Sequence, residues 1–118
     1  MKVERISAVT LKVSDMRSSV RFYRDVLGLK VLYGGEEASF SSLSMGDGES
    51  AILNLEQGRP ANGWGRVIFY VDDVDACWGY LKGKGFEPER PRDAVWGERY
   101  FHILDPDGHE LSFARLSE

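Results

Sequence analysis

The stretch that decides the fold is "AVTLKVSDMRSSVRFYRDVLGL", residues 8–29, because the chain writes it again as "RVIFYVDDVDACWGYLKGKGF", residues 66–86. With residue 8 aligned on residue 66, an offset of 58, Val9 meets Val67, Val13 meets Val71, Asp15 meets Asp73, Val20 meets Trp78 and Tyr23 meets Leu81. Each copy opens on a short β-rich run and follows it with an Asp able to cap a helix. Apolar residues then recur at helical spacing: Met16, Val20, Tyr23 and Leu27 in the first copy, Val74, Trp78 and Leu81 in the second. Each helix stops at a glycine, Gly28 or Gly85, placed for a left-handed C-terminal cap. The next residue, Leu29 or Phe86, is apolar and can pack back on the helix.

Outward from the repeat, "SFSSLSM" (39–45), "GDGE" (46–49) and "SAILNLE" (50–56) read as strand, turn and strand. In the second half "RYFHIL" (99–104), "DPDG" (105–108) and "HELSFARL" (109–116) do the same, with Pro fixing φ and Gly supplying a positive φ in the turn. Each half is thus roughly β-α-β-β-β. The modules are placed at 1–57 and 66–118, with the Gly-, Pro- and Asn-containing "GRPANGWG" (58–65) as linker inside one structural domain. A module with one amphipathic helix and four short strands buries only one sheet face by itself. The expected α+β fold therefore has two βαβββ modules pairing into a half-open barrel around a central cavity, the default ligand site. A filled core is the alternative.

The bulk composition agrees with such a domain. The chain has 118 residues, 42 % hydrophobic and 29 % charged, without an apolar run long enough to cross a bilayer. Met1–Val13 lacks the pattern of a secretory signal, so a cytoplasmic protein is expected. The net charge of -4 argues against nucleic acid as a partner. It suits a cationic ligand, although solubility alone explains so small a charge. Cys77 is the single cysteine, which excludes an internal disulfide and a multi-thiolate zinc site. It falls beside the apolar stripe of its helix and is expected to be a buried, inert thiol.

The two copies, together with "GERYFHILDPDGHELSF" (97–113), resemble the vicinal oxygen chelate superfamily. That group includes glyoxalase I, extradiol dioxygenases, and the fosfomycin- and bleomycin-resistance proteins. The resemblance covers nearly the whole chain and implies paired βαβββ modules, usually in a homodimer. Its metal-dependent members hold one divalent ion with side chains from the first and last strand of each module. The matching positions here are Ala8, Arg66, Asn54 and Ser112, and the 58-residue offset relates Ala8 to Arg66 and Asn54 to Ser112. Alanine has no donor atom, a guanidinium repels a cation, and neutral amide and hydroxyl oxygens are weak ligands. No cofactor is therefore expected.

Further candidates follow from strand parity and from the same resemblance. Glu110, two residues before Ser112, shares its sheet face about 6.5 Å along the strand. It reads as a rim carboxylate for a cationic ligand or for Arg66, or else as an exposed hairpin residue. His102 matches a cavity-facing position of the family, and Tyr100 shares its strand parity. His102 reads as a satisfied structural histidine, as a ligand contact, or as part of a relocated metal site with Glu110 and Glu98. His109 reads as a solvent-facing turn residue, and Trp78 as core. Trp96 and Trp64 sit on the glycine-flanked loops "AVWGE" and "NGWGR", where indoles often line clefts. Arg66 can bind a carboxylate or phosphate, or be neutralised by Glu110 or Glu98. Asn54, Ser112 and Thr10 offer neutral hydrogen bonds, and Tyr70 a ring with a polar tip.

The leading expectation is a metal-independent protein that binds a small aromatic or cationic molecule, most like the bleomycin-resistance branch and suited to antibiotic sequestration. One rival is a lyase, isomerase or dioxygenase with a relocated divalent metal ion and acid–base chemistry through His102 and Glu110. The other is a dimeric scaffold without a ligand.

Overall fold

Both modules form the element order that the repeat predicts. The computed structural model describes residues 1–46 and 50–117 and divides the chain into two compact units, Met1–Ala61 and Asn62–Glu118.

The first unit contains strand β1 (Ala8–Val13), helix α1 (Met16–Arg21), and strands β2 (Lys30–Tyr33), β3 (Phe40–Ser44) and β4 (Ile52–Gln57). Helix α1 runs on as a π-helical turn, Phe22–Val26. The open sheet has the order β1-β4-β3-β2, with β1 parallel to β4 and the other neighbours antiparallel. Period-two alternation sends Leu11, Val13, Leu43, Leu53 and Leu55 to one buried face. The "GDGE" turn lies beyond Gly46 outside the described residues.

Asp15 caps α1 by accepting the Arg17 backbone N–H at 3.2 Å. The π-helical turn alters the apolar stripe expected from a regular helix. Met16, Val20 and Tyr23 are buried, but Leu27 is only half-buried, and Phe22 and Leu29 complete the core. The wider turn rotates Leu27 away and lets the Phe22 and Tyr23 rings meet edge-on at 5.0 Å. Gly28, at φ +80, then reverses the chain, and Leu29 donates to the Tyr23 carbonyl at 2.9 Å. Across the surface, Glu36 accepts from Arg21 and Arg24, each at 2.8 Å. The hydrogen bond from Arg24 contributes most to holding the Glu36 carboxyl below its ordinary range.

The second unit repeats the plan with β5 (Arg66–Tyr70), α2 (Val74–Gly83), the two-residue β6 (Arg92–Asp93), β7 (Glu98–Leu104) and β8 (Glu110–Leu116). The order is β5-β8-β7-β6, again with the first pair parallel. The register keeps the sequence offset on both partners: Ala8 faces Ile52 and Arg66 faces Glu110. Asp73 caps α2 through the Ala76 N–H at 3.0 Å, and Gly85 at φ +95 ends its turn. Phe69, Phe113 and Phe101 stack in sequence, at 5.7 and 5.2 Å, on the face that also buries Leu111 and Ile103. Trp78 departs from its core assignment. It is half-buried, donates to the Pro88 carbonyl at 3.3 Å, and carries the Lys82 ammonium 4.7 Å from its ring. Among the described residues no helix is long and apolar enough to cross a membrane.

The "DPDG" segment closes the β7–β8 hairpin. Asp105 is buried, and its Oδ1 accepts the backbone N–H groups of Asp107 and His109, both at 2.9 Å. Gly108 takes φ +84 and donates to the Asp105 carbonyl at 3.0 Å. Asp105→Ala leaves both N–H groups without that acceptor and is expected to destabilise folding by about 1–3 kcal/mol in a denaturant titration.

Cys77 is half-buried, and burial first, then the Asp72 carboxylate, pushes its thiol up from 9.0 to about 11. At neutral pH such a group holds about 100-fold less thiolate than an ordinary cysteine. A disulfide reagent should accordingly label native Cys77 far more slowly than the unfolded chain; equal rates would contradict this.

Candidate functional site

The second unit's sheet has two chemically different faces. Val67, Phe69, Phe101, Ile103, Leu111 and Phe113 occupy one, on the side of α2, where Arg99 also forms two 2.8 Å hydrogen bonds with Asp75 of that helix. Alternation turns Arg66, Ile68, Glu98, Tyr100, His102, Glu110, Ser112 and Ala114 to the other. There Arg66, Ile68, Trp96, Glu98, Tyr100, His102, Ser112 and Ala114 line a cavity of ≈ 100 Å³.

Neighbouring strands set the polar contacts. Ser112 stands opposite both Ile68 and His102 in register. Its Oγ lies 2.6 Å from His102 Nδ1, a hydrogen bond in which either group can donate. Glu110 Oε1 is 3.9 Å from the same ring nitrogen, while its Oε2 accepts from Arg66 Nε at 3.1 Å. Trp96 lies nearly parallel to Tyr100, with an interplanar angle of 19° and centroids 6.1 Å apart. Its Nε1 donates to Glu98 Oε1 at 3.3 Å. Tyr100 also meets the His102 ring at 5.2 Å and the Arg92 guanidinium at 5.6 Å. Trp96 remains 67 % exposed, so a broad indole surface faces solvent beside the cavity.

In the first unit the corresponding row is neutral. Ser42 donates to Asn54 Oδ1 at 2.7 Å, and Asn54 Nδ2 donates to Thr10 Oγ1 at 3.3 Å. The register opposes Thr10 and Ser42 to Asn54, as it opposes Ile68 and His102 to Ser112.

The residues singled out from the sequence are thus distributed unevenly. Arg66, Tyr100, His102, Ser112 and Trp96 line the cavity of the second unit, and Glu110 holds Arg66 at its edge. Asn54 and Thr10 belong to the polar row of the first unit. Trp64 and Tyr70 are not among the lining residues. Trp64 donates to His109 Nδ1 at 3.1 Å, and Tyr70 lies under the Arg115 guanidinium at 5.0 Å. His109 corrects the sequence reading: it is 2 % exposed rather than solvent-facing. Its parity with Leu111 and Phe113 turns it to the buried face, a signal the sequence contained. Ile68 and Ala114 were missed, though parity with Arg66 and Ser112 identifies them. Glu98, weighed only as a metal ligand or a partner for Arg66, instead accepts from the indole.

The positions that carry a metal in the resembled family do not fit one here. Ala8 has no donor, Arg66 is positively charged and bound to Glu110, Ser112 Oγ is engaged with His102, and Asn54 Oδ1 already accepts from Ser42. The relocated set fares no better. His102 and Glu98 stand four residues apart on β7, about 13 Å along the strand. Among the described residues no group of three His, Cys, Asp or Glu side chains could hold a metal ion.

Comparison with known proteins agrees with this architecture. The chain is 28 % identical over 116 residues to lactoylglutathione lyase of Haemophilus influenzae, covering 87 % of this chain and 86 % of that protein. It is 29 % identical over 117 residues to the metallothiol transferase FosB of Staphylococcus epidermidis, covering 92 % and 81 % respectively. The crystal structure of TnmS3, an antibiotic binding protein from a Streptomyces species, superposes with a TM-score of 0.85 at 24 % identity and covers 99 % of each chain, a likeness of fold alone. Residues 5–113 match the family model of the Glyoxalase/Bleomycin resistance protein/Dioxygenase superfamily. The doubled module and this match over most of its length together establish that the chain belongs to that superfamily.

Proposed function

We propose that this protein is a metal-independent receptor that sequesters a small, partly aromatic molecule on the polar face of its second unit. The observation that carries the reading is Trp96: an exposed indole held parallel to Tyr100 and tied by its N–H to Glu98 beside a cavity. A flat ring can stack there without chemistry. The misfit of Ala8, Arg66, Asn54 and Ser112 to a cation supports a metal-free mode, and TnmS3, described as antibiotic binding, gives a precedent on the same fold. Because ≈ 100 Å³ is small beside the roughly 300–1,000 Å³ of complete ligand sites, this hollow fits one ring of a larger ligand. A cytoplasmic homodimer without a nucleic-acid partner completes the proposal. Acid–base catalysis is the weaker reading, since His102 Nδ1 is engaged by buried Ser112 and Glu110 is bound to Arg66.

The test uses quinoline as a flat probe, added to EDTA-treated protein while the Trp96 indole N–H resonance is followed. Binding of about millimolar affinity is expected for a fragment of this size, unchanged when zinc is added. Binding that appears only after metal addition would refute the proposal.

A further inference from the structure

We infer that the ligand of this face is a flat aromatic cation whose positive charge is recognised by Glu98. This rests on the proposed binding role and goes beyond it through the charges around the cavity.

The cationic side chains nearby are answered locally. Arg66 Nε donates to Glu110 at 3.1 Å, and Arg92, whose guanidinium lies against Tyr100, donates to Glu89 at 2.7 Å. Arg66 and Glu110 therefore offset each other's charge, and an anion that approaches the other N–H groups of Arg66 meets the Glu110 carboxylate beside them. Glu98 differs. Its contact on this face is a neutral donor, the Trp96 indole N–H at 3.3 Å. That bond orients the carboxylate without cancelling its charge, so the wall of the cavity carries one negative charge in excess.

The aromatic surface selects the same sign. Indole offers the strongest ring face for a cation, and the Trp96–Glu98 bond fixes that face beside a carboxylate. A ring carrying a positive nitrogen can stack on Trp96 and direct its charge to Glu98 in a single pose. An anionic ring in that pose meets Glu98 and the negative ring face together. The overall charge of -4 favours the approach of a cation as well.

The experiment compares 1-methylquinolinium, quinoline and quinoline-2-carboxylate, which share a ring system and differ in charge. Each is titrated into EDTA-treated protein by calorimetry, with the Trp96 indole resonance as reporter. The cation should bind about tenfold more tightly than the neutral ring, and the anion most weakly. Glu98→Gln, whose amide oxygen can still accept the indole N–H, should remove most of the cation's advantage over quinoline and leave only the preference of the indole face, while quinoline itself is retained. Glu110→Gln, which releases Arg66, should strengthen the anion and weaken the cation. Quinoline binding with an unchanged cation preference in Glu98→Gln, or with a preference for the anion in the wild type, would overturn the Glu98 assignment and leave the binding role standing. Loss of all three ligands in Glu98→Gln would also count against it, because the neutral ring is not predicted to need the carboxylate. If none of the three shifts the Trp96 resonance in the wild type, both the binding role and the charge assignment fall.

Discussion

Phe101→Ala is expected to lower unfolding stability by about 3–5 kcal/mol, the cost of emptying a fully buried aromatic position. Phe101 is 1 % exposed, lies on β7 between β6 and β8, and stacks on Phe113 at 5.2 Å. Phe113 in turn stacks on Phe69 at 5.7 Å, so removal of Phe101 opens a cavity against an aromatic column that links three strands. Rigid rings in a sheet core cannot easily collapse into such a space. Urea denaturation should show a lower midpoint, and a loss below about 1 kcal/mol would mean that the column is not the core of this unit.

Trp96→Ala should have the opposite profile. Trp96 is 67 % exposed, so its removal is expected to change stability by no more than about 0.5 kcal/mol. Quinoline binding, however, should weaken by more than about tenfold, because the stacking surface is gone. Trp64→Ala provides the contrast. It removes the donor to His109 Nδ1 near the β7–β8 turn and should leave quinoline binding unchanged. Equal loss of binding in both variants would mean that Trp96 does not define the site.

Much of the fold was legible because its signals are local. Asp15 and Asp73 cap helices through side-chain oxygens a few residues away, and Gly28 and Gly85 adopt the left-handed conformation at the ends of those helical segments. The 58-residue offset survives in the parallel pairings Ala8 with Ile52 and Arg66 with Glu110, since one duplicated pattern sets both registers. The π-helical turn was not legible. It widens the backbone over Phe22–Val26, a change that the spacing of apolar residues along a helix does not report.

The site was legible by face more than by contact. The family resemblance named Arg66, His102 and Ser112 and parity added Tyr100, all of which line the cavity; Ile68 and Ala114 share that parity, but as apolar residues they read equally well as core. Which partner each group takes was beyond the sequence. Glu110 lies within reach of both His102 and Arg66, and only the cross-strand geometry shows Arg66 at 3.1 Å and His102 at 3.9 Å. Trp64 and Trp96 share a glycine-flanked setting, yet one meets a buried imidazole and the other stays open beside the cavity, a distinction made by residues far away in the chain.

The most direct test of metal independence is a calorimetric metal titration of the EDTA-treated protein with zinc, nickel, cobalt and manganese, and with iron(II) under anaerobic conditions. A metal-free receptor is predicted to bind none of them stoichiometrically. Tight uptake of an ion by each chain would contradict that, make His102 and Glu110 the first ligands to substitute, and turn the reading from a receptor to an enzyme.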